Sequence, residues 1–379
     1  MRPQPFQVER WFSRYEFAVR LNIAESCIKP LTVREIEEIT GRDLQAELAG
    51  MSIGYTDSAG NPRLRGVIAS LYPGVSGDDV CVTNGAIEAN YLAFAATIDP
   101  GDGVIVVHPA YQQLSEIPAT LGARVKRWAL RRENGFRPDV RELEGLIDGN
   151  TRLIVLNFPH NPTGAVLEPA AMQAICEIAA ERGISVHSDE VYRGLRLDGG
   201  EPSPSVREFL PTATVIGSAS KAFGLSGARI GWVIGAPGVI RRCGELRDYV
   251  SICPAKPSEV IAQAVFENAA RILERNRRIA CENFDLLMTW ACENENLFGL
   301  APPREGVVAF PWFKAPCSSE DFCKRLVESE DVLLVPGSKF DLEGYFRIGF
   351  GYARESLEEG LGKLTRFARE YFSSGTAGG

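Results

Sequence analysis

The 379-residue sequence predicts an α/β protein: a large domain with a mostly parallel central sheet flanked by helices, joined to a smaller α+β domain. Three observations predict it. Between about residues 62 and 235, short continuous apolar runs alternate with stretches of helical spacing, the pattern of strands buried on both faces. Beyond residue 257 the texture changes to charged helices and isolated short strands. Polar residues follow directly on several apolar runs, where the carboxyl ends of parallel strands would gather them around a ligand.

Taken in order, residues 86–98 have helical apolar spacing and stop at Asp99-Pro100-Gly101. Residues 103–108 then form a continuous apolar run suited to a buried strand. The pattern recurs at 151–157, 184–188, 213–217 and 229–234, with a helix over 169–182 between two of them. Residues 257–296 read as one long helical region. The remainder reads β-α-β-β-α over 307–310, 321–328, 332–335, 345–348 and 354–371, and 373–379 read as a frayed end. The expected organisation is an N-terminal arm over 1–45 that contributes to the small domain, a large domain over 46–285, and the small domain over 286–379.

Composition narrows the function classes. A net charge of −8 argues against nucleic acid and anionic membrane surfaces as partners. No apolar run approaches the roughly 18 residues of a membrane span, and Arg2, Glu9, Arg10 and Arg14 give the start of the chain no likeness to a signal peptide. Nine scattered cysteines without Cys-x-x-Cys suit a reducing compartment, and three histidines without close spacing offer no zinc or other metal site. The expectation is a soluble, cytoplasmic protein.

The segment Ser218-Ala219-Ser220-Lys221-Ala222-Phe223-Gly224-Leu225-Ser226-Gly227-Ala228-Arg229 sets one lysine between a serine and an arginine. An amine beside two anion-binding groups suits a cofactor that is both an aldehyde and a phosphate ester, which describes pyridoxal 5′-phosphate. That cofactor needs a buried carboxylate to keep its pyridine nitrogen protonated. Asp189, directly after an apolar run, is the candidate, with Tyr192 three residues on within reach of the phenolic oxygen. Asn161, in Pro159-His160-Asn161-Pro162-Thr163-Gly164, sits in a tight turn that aims its amide. Val82-Thr83-Asn84-Gly85-Ala86-Ile87 leads a strand into a helix, so the Ala86 and Ile87 amides would face a phosphate. Tyr111 would stack on the ring. Arg347, on an apolar run, suits a substrate α-carboxylate, though an ion pair inside the protein answers the same need.

In their order these motifs resemble the fold-type I, pyridoxal-phosphate-dependent enzymes of the class I/II aminotransferase superfamily. The likeness covers about residues 50–365 and runs from Tyr55, through Asn84-Gly85-Ala86, Pro109-Ala110-Tyr111, Asn161-Pro162-Thr163-Gly164, Asp189-Glu190-Val191-Tyr192 and the lysine segment, to Phe346-Arg347. It implies the aspartate aminotransferase-like fold. It also implies that Lys221 is the Schiff-base lysine and proton carrier, that Asp189 pairs with the pyridinium, and that Asn161 and Tyr192 bond the phenolic oxygen. Ser218, Arg229, Ala86 and Ile87 would hold the phosphate and Arg347 the substrate carboxylate. The family's proteins are homodimers with shared sites, so Tyr55 would reach the phosphate held by the neighbouring subunit.

The sequence departs from the family at two places. Residues 22–27 read Asn-Ile-Ala-Glu-Ser-Cys where family members carry a glycine and a Pro-Asp pair, and Gly349 stands where they often carry Ser or Thr. Glu25 either faces the substrate's side chain, favouring a basic or polar one, or lies in a surface loop. The expected reaction is transfer of an amino group from an amino acid to a 2-oxo acid. The alternative is a lyase, decarboxylating deaminase or cyclase of natural-product metabolism on the same scaffold, acting for example on an S-conjugated cysteine or an arginine derivative.

Overall fold

A computed structural model describes residues 2–373 of the protein. Its centre is a sheet of seven strands: Val80–Thr83 (β1), Gly103–His108 (β2), Arg124–Ala129 (β3), Thr151–Asn157 (β4), Ser185–Asp189 (β5), Thr214–Ser218 (β6) and Gly231–Ile234 (β7). Their order across the sheet is β1-β7-β6-β5-β4-β2-β3. All neighbours run parallel except β7, which is antiparallel to both β1 and β6. The crossover from β1 to β2 is the helix Ala86–Thr97, whose Ala89, Leu92, Ala93 and Phe94 are buried against the sheet. The expected mostly parallel sheet flanked by helices is therefore observed.

The differences have local causes. The strand at 124–129 was not expected because Arg124, Lys126 and Arg127 interrupt its apolar pattern; β3 pairs only with β2, and a charged edge strand resists further pairing. The run at 229–234 starts late. Arg229 lies in the left-handed region at φ 54°, so pairing begins only at Gly231. The long helical region is two helices, Lys256–Phe266 and Ala269–Glu293. Between them Asn268 leaves helical geometry, and its side-chain amide donates to the Ala264 carbonyl at 3.1 Å, a local bond that competes with helix propagation. The run at 332–335 likewise splits into two short strands, Val332–Leu333 and Val335–Pro336.

The C-terminal part packs Phe346–Gly349 between Val308–Ala309 and Val335–Pro336, all antiparallel. Its interior is aromatic: Phe313 and Phe346 each pack against both Phe298 and Phe322, with ring centres 4.7–6.4 Å apart. The N-terminal segment joins this layer. Leu21–Asn22 pairs in parallel with Val332–Leu333, and the helix Gln7–Tyr15 is anchored by Trp11, whose Nε1 donates to the Leu334 carbonyl at 2.8 Å. The last helix, Arg354–Ser373, includes Ser373, and the rest of the expected frayed end lies outside the described residues. No helix among the described residues is long and apolar enough to cross a membrane.

Gly217 on β6 has no room for a side chain, because a Cβ there would overlap the buried Trp232 indole on β7. Gly217→Ala is expected to destabilise the fold by about 1–3 kcal/mol through overpacking, read as a lower urea midpoint with an unchanged m-value.

Candidate active site

The carboxyl ends of β4, β5 and β6 open with the start of helix Ala86–Thr97 into a cavity of about 820 Å³. Every candidate residue except Tyr55 lines it: Lys221, Asp189, Tyr192, Asn161, Tyr111, Ser218, Arg229, Ala86, Ile87, Arg347 and Glu25. Tyr55 is 83% exposed and lies away from the cavity of its own chain.

Lys221 follows β6, where the chain turns through left-handed Gly224 at φ 70°. Its Nζ donates to Ser26 Oγ at 2.8 Å and lies 3.5 Å from Cys27 Sγ and 5.9 Å from the centre of the Tyr192 ring. Burial opposes the ammonium charge, but Cys27, Tyr192 and Glu25 outweigh it and hold the pKa above its ordinary value.

Asp189 ends β5 and is buried, and burial raises its pKa against the hydrogen bond from Asn90 Nδ2 at 2.9 Å. Asn90 in turn presents its Oδ1 to His187 Nε2 at 2.8 Å. Since that oxygen can only accept, His187 carries its proton on Nε2. Burial pushes the imidazole down to about 3, so it stays neutral, and its ring stacks on Phe94 at 4.3 Å. The chain His187–Asn90–Asp189 thus fixes the carboxylate's direction. Asn157 adds a second tie, donating from Nδ2 to the Asp189 carbonyl while its Oδ1 accepts from the backbone N–H of Asn161. His160 joins the Tyr111 and Asn161 loops: Nε2 donates to the Pro109 carbonyl at 2.8 Å and Nδ1 accepts from the Thr163 hydroxyl at 2.7 Å.

One end of the cavity is built for an anion. Gly85, at φ 85°, precedes helix Ala86–Thr97 and supplies no side-chain cap, which leaves the helix N-terminus to an external acceptor. The Arg229 guanidinium lies directly over Gly85, where a Cβ would overlap it. It makes no ion pair among the described residues and meets only the Ser226 carbonyl at 3.0 Å and two contacts at 3.5 Å. Ser218 Oγ accepts from the Ser220 amide at 3.0 Å and donates to the Ile230 carbonyl only at 3.5 Å.

Arg347 is fully buried. Its terminal nitrogens donate to Asn161 Oδ1 at 3.1 Å and the Ala24 carbonyl at 2.9 Å, and Nε has no partner. The internal ion pair that would have explained it is absent among the described residues. A buried guanidinium held by neutral groups alone is costly, and an anion at Nε would offset that cost. Asn161, with its oxygen taken, has its amide hydrogens free to donate.

The N-terminal segment covers the cavity. Tyr111 donates its hydroxyl to Glu9 Oε1 at 2.7 Å and packs against Phe6 with ring centres 4.8 Å apart. Glu9, Phe12 and Glu16 also line the cavity; their spacing of three and four residues puts them on one face of the helix, the signal that was not used. The segment Glu25-Ser26-Cys27 runs hard against the strand Phe346–Gly349. Gly349 donates its amide to the Ile23 carbonyl at 2.9 Å, and Lys29 donates to the Gly351 carbonyl at 2.7 Å. A Cβ at Gly349 would overlap the Glu25 backbone, and one at Gly351 the Cys27 carbonyl. The two departures from the family pattern therefore meet in space: residues 25–27 pass where a side chain at Gly349 would stand. Glu25 does face the cavity rather than a surface loop.

The donor set fits pyridoxal phosphate. It has an amine, an uncapped helix start beside an unpaired arginine, a buried carboxylate, and a buried Tyr192 hydroxyl with no partner. No cluster suited to a metal ion occurs among the described residues.

Comparison with known proteins agrees. The family described as aminotransferase class I and II matches residues 28–364. The chain is 33% identical to the capreomycidine synthase of Streptomyces vinaceus, over 94% of this chain and 92% of that one. Among solved structures it is similar to a PLP-dependent aminotransferase from Streptococcus suis, with 37% identity and a TM-score of 0.93 over 98% and 99% of the two chains. It is also similar to the PLP-dependent cyclase OrfR, with 29% identity and a TM-score of 0.91 over 98% of each.

Gly349→Ala should push the 25–27 segment outward and destabilise the chain by about 1–3 kcal/mol. Cys27, buried in the native chain, is expected to react faster with a thiol reagent, which peptide mapping of the modified cysteines checks.

Proposed function

The chain belongs to the class I and II aminotransferase family, and on that premise we propose that it transfers the amino group of an amino acid to a 2-oxo acid, with Lys221 as the residue that moves the α-proton. The convergence of Lys221, Asp189, Arg229 and Arg347 on one cavity carries this reading. Pyridoxal 5′-phosphate, when bound, supplies an aldehyde that condenses with amines and a ring that accepts the electron pair of a breaking bond at the α-carbon.

The chain's residues divide the remaining work. Asp189, kept in place by Asn90, holds a proton at the ring nitrogen; a cation there offsets the burial that otherwise raises its pKa. The Asn161 amide and Tyr192 hydroxyl donate toward the phenolic oxygen, and the Tyr111 ring, fixed by Glu9 and Phe6, stacks on the cofactor. Arg229, Ser218 and the Ala86 and Ile87 amides take the phosphate. Arg347 grips the substrate carboxylate through its free Nε edge, and Glu25 faces the substrate's side chain. Lys221 Nζ removes the α-proton and returns it at a neighbouring carbon, with Ser26 Oγ holding the amine between the two transfers.

The assembly is proposed to be a homodimer. Ile53, Tyr55, Tyr249, Val250 and Ile252 stand exposed on two adjoining segments, which Lys256 Nζ and the Ser52 carbonyl tie together at 3.0 Å. Exposed apolar residues grouped in this way suit a partner subunit, and Tyr55 there would reach the phosphate of the neighbouring site.

A second reading is favoured by one observation. The substrate face presents Glu25, Ser26 and Cys27 in place of a glycine, and two of the similar proteins are named a synthase and a cyclase. Loss of a β-substituent, decarboxylation or ring closure uses the same lysine, aspartate and arginine.

Lys221→Ala is expected to remove the visible band of the bound cofactor and to lower turnover by about 10²–10⁴-fold. Arg347→Ala should lower kcat/KM by about 10–100-fold, since it removes a charged hydrogen bond. Mixing the loaded enzyme with amino acids decides between the readings: release of a 2-oxo acid with the amine retained on the cofactor supports transamination, and release of ammonia or a ring product supports the second.

A further inference from the structure

Resting on the reading of the Gly85 turn as the phosphate site, we infer that the buried pair Glu88–Arg247 positions that site. Glu88 holds the turn in shape through the Asn84 amide, and Arg247 neutralises Glu88 so that a phosphate can sit at the same helix end.

Helix Ala86–Thr97 carries a conflict. Its N-terminus is left open for an anion, yet Glu88 stands in its first turn. A carboxylate there competes with a phosphate for the positive end of the helix. Glu88 is buried and does not line the cavity, so it acts only through its neighbours. Both of its oxygens are engaged: Oε2 accepts from the backbone N–H of Asn84, and Oε1 accepts from the Ser251 hydroxyl. The Asn84 carbonyl in turn receives Arg229 Nη2 at 3.5 Å, and the Gly85 amide donates to the Thr83 carbonyl at 2.9 Å. Glu88 is thus linked to the phosphate-binding arginine through the backbone of a single residue.

Arg247 answers the charge. It ends the helix Pro237–Arg247, is completely buried, and places Nη2 3.5 Å from Glu88 Oε2. Nη2 makes no hydrogen bond, so the contact is one of charge alone. Among the described residues each of the two is the other's only ion-pair partner. The rest of the guanidinium is tied down. Nη1 donates to the carbonyls of Ser58, at 2.7 Å, and of Val82 on the strand that leads into the turn, and Nε donates to Ser251 Oγ at 3.4 Å. The Arg247 carbonyl accepts the amides of Val250, Ser251 and Ile252 at 2.8–3.1 Å, which wraps that segment around it. Removing one member of a buried pair leaves the other uncompensated. Here the uncompensated charge would stand behind the bound phosphate.

The two members therefore act with opposite signs. Without Arg247 a bare carboxylate repels the phosphate; without the Glu88 charge a bare cation attracts it. A pair that served folding alone would weaken every form of the cofactor alike.

The test titrates the cofactor-free, full-length protein with pyridoxal 5′-phosphate and with pyridoxal, which lacks the phosphate, and follows absorbance. The native protein is expected to prefer the phosphate ester. Arg247→Met should cut that preference about tenfold or more and leave pyridoxal affinity nearly unchanged. Glu88→Gln should raise it, since the amide oxygen still accepts from Asn84 and the amide nitrogen can donate to Ser251. The double variant, which buries neither charge, should return toward the native ratio. Where Arg247→Met does not fold, the sign of the Glu88→Gln effect decides. The proposal is overturned by a folded Arg247→Met that keeps the native preference, or by a Glu88→Gln that lowers it or leaves it unchanged. If the native protein binds the two forms equally, the reading of the Gly85 turn as the phosphate site fails as well.

Discussion

The active site depends on keeping one carboxylate ionised where water does not reach. Asp189 ends the middle strand of the sheet, and its pKa is raised by the burial that makes it useful. A cationic ring nitrogen placed against it would relieve that cost. The surroundings are arranged to hold the carboxylate rather than to neutralise it. Asn90 is the donor, a neutral His187 orients Asn90, and Asn157 ties the backbone of the same residue to the Asn161 loop. No basic side chain forms an ion pair with Asp189 among the described residues, so the position for a cation is left to a ligand.

The second constraint is steric. Residues 23–29 lie against the strand Phe346–Gly349 so closely that Gly349 and Gly351 admit no side chain. This contact brings Ser26 and Cys27 to the Lys221 amine, gives Arg347 the Ala24 carbonyl, and turns Glu25 into the cavity. A single close approach of backbone to backbone thus sets the surroundings of both the Lys221 amine and the buried Arg347 guanidinium. The helix Gln7–Tyr15 completes the wall, held by Trp11 on one side and by the Tyr111–Glu9 bond on the other.

Much of this was legible in the sequence. The lysine segment, Asp189, Asn161 and the Asn84-Gly85-Ala86 turn each follow a strand directly, and the sheet brings them together because parallel strands share one carboxyl end. Arg229 was legible as a residue but not as a conformation: its left-handed backbone is what lays it across Gly85. Asn90 and His187 were missed, since an asparagine inside an apolar helix and a histidine inside an apolar strand announce nothing until the two elements meet. Glu9 and Glu16 were missed because the first helix is short and most of its surface is polar.

By itself, then, the sequence determined the fold class, the order of chemical groups along the chain, and the cofactor those groups suit. Each of these follows from local patterning and from residues adjacent to strand ends. Only the tertiary structure decided which further side chains line the cavity. Glu16 and Glu25 reach the cavity from separate segments, and the seat of Glu25 depends on a glycine more than 300 residues further along the chain. Contacts between distant segments are set by how whole layers pack, and no local pattern encodes them.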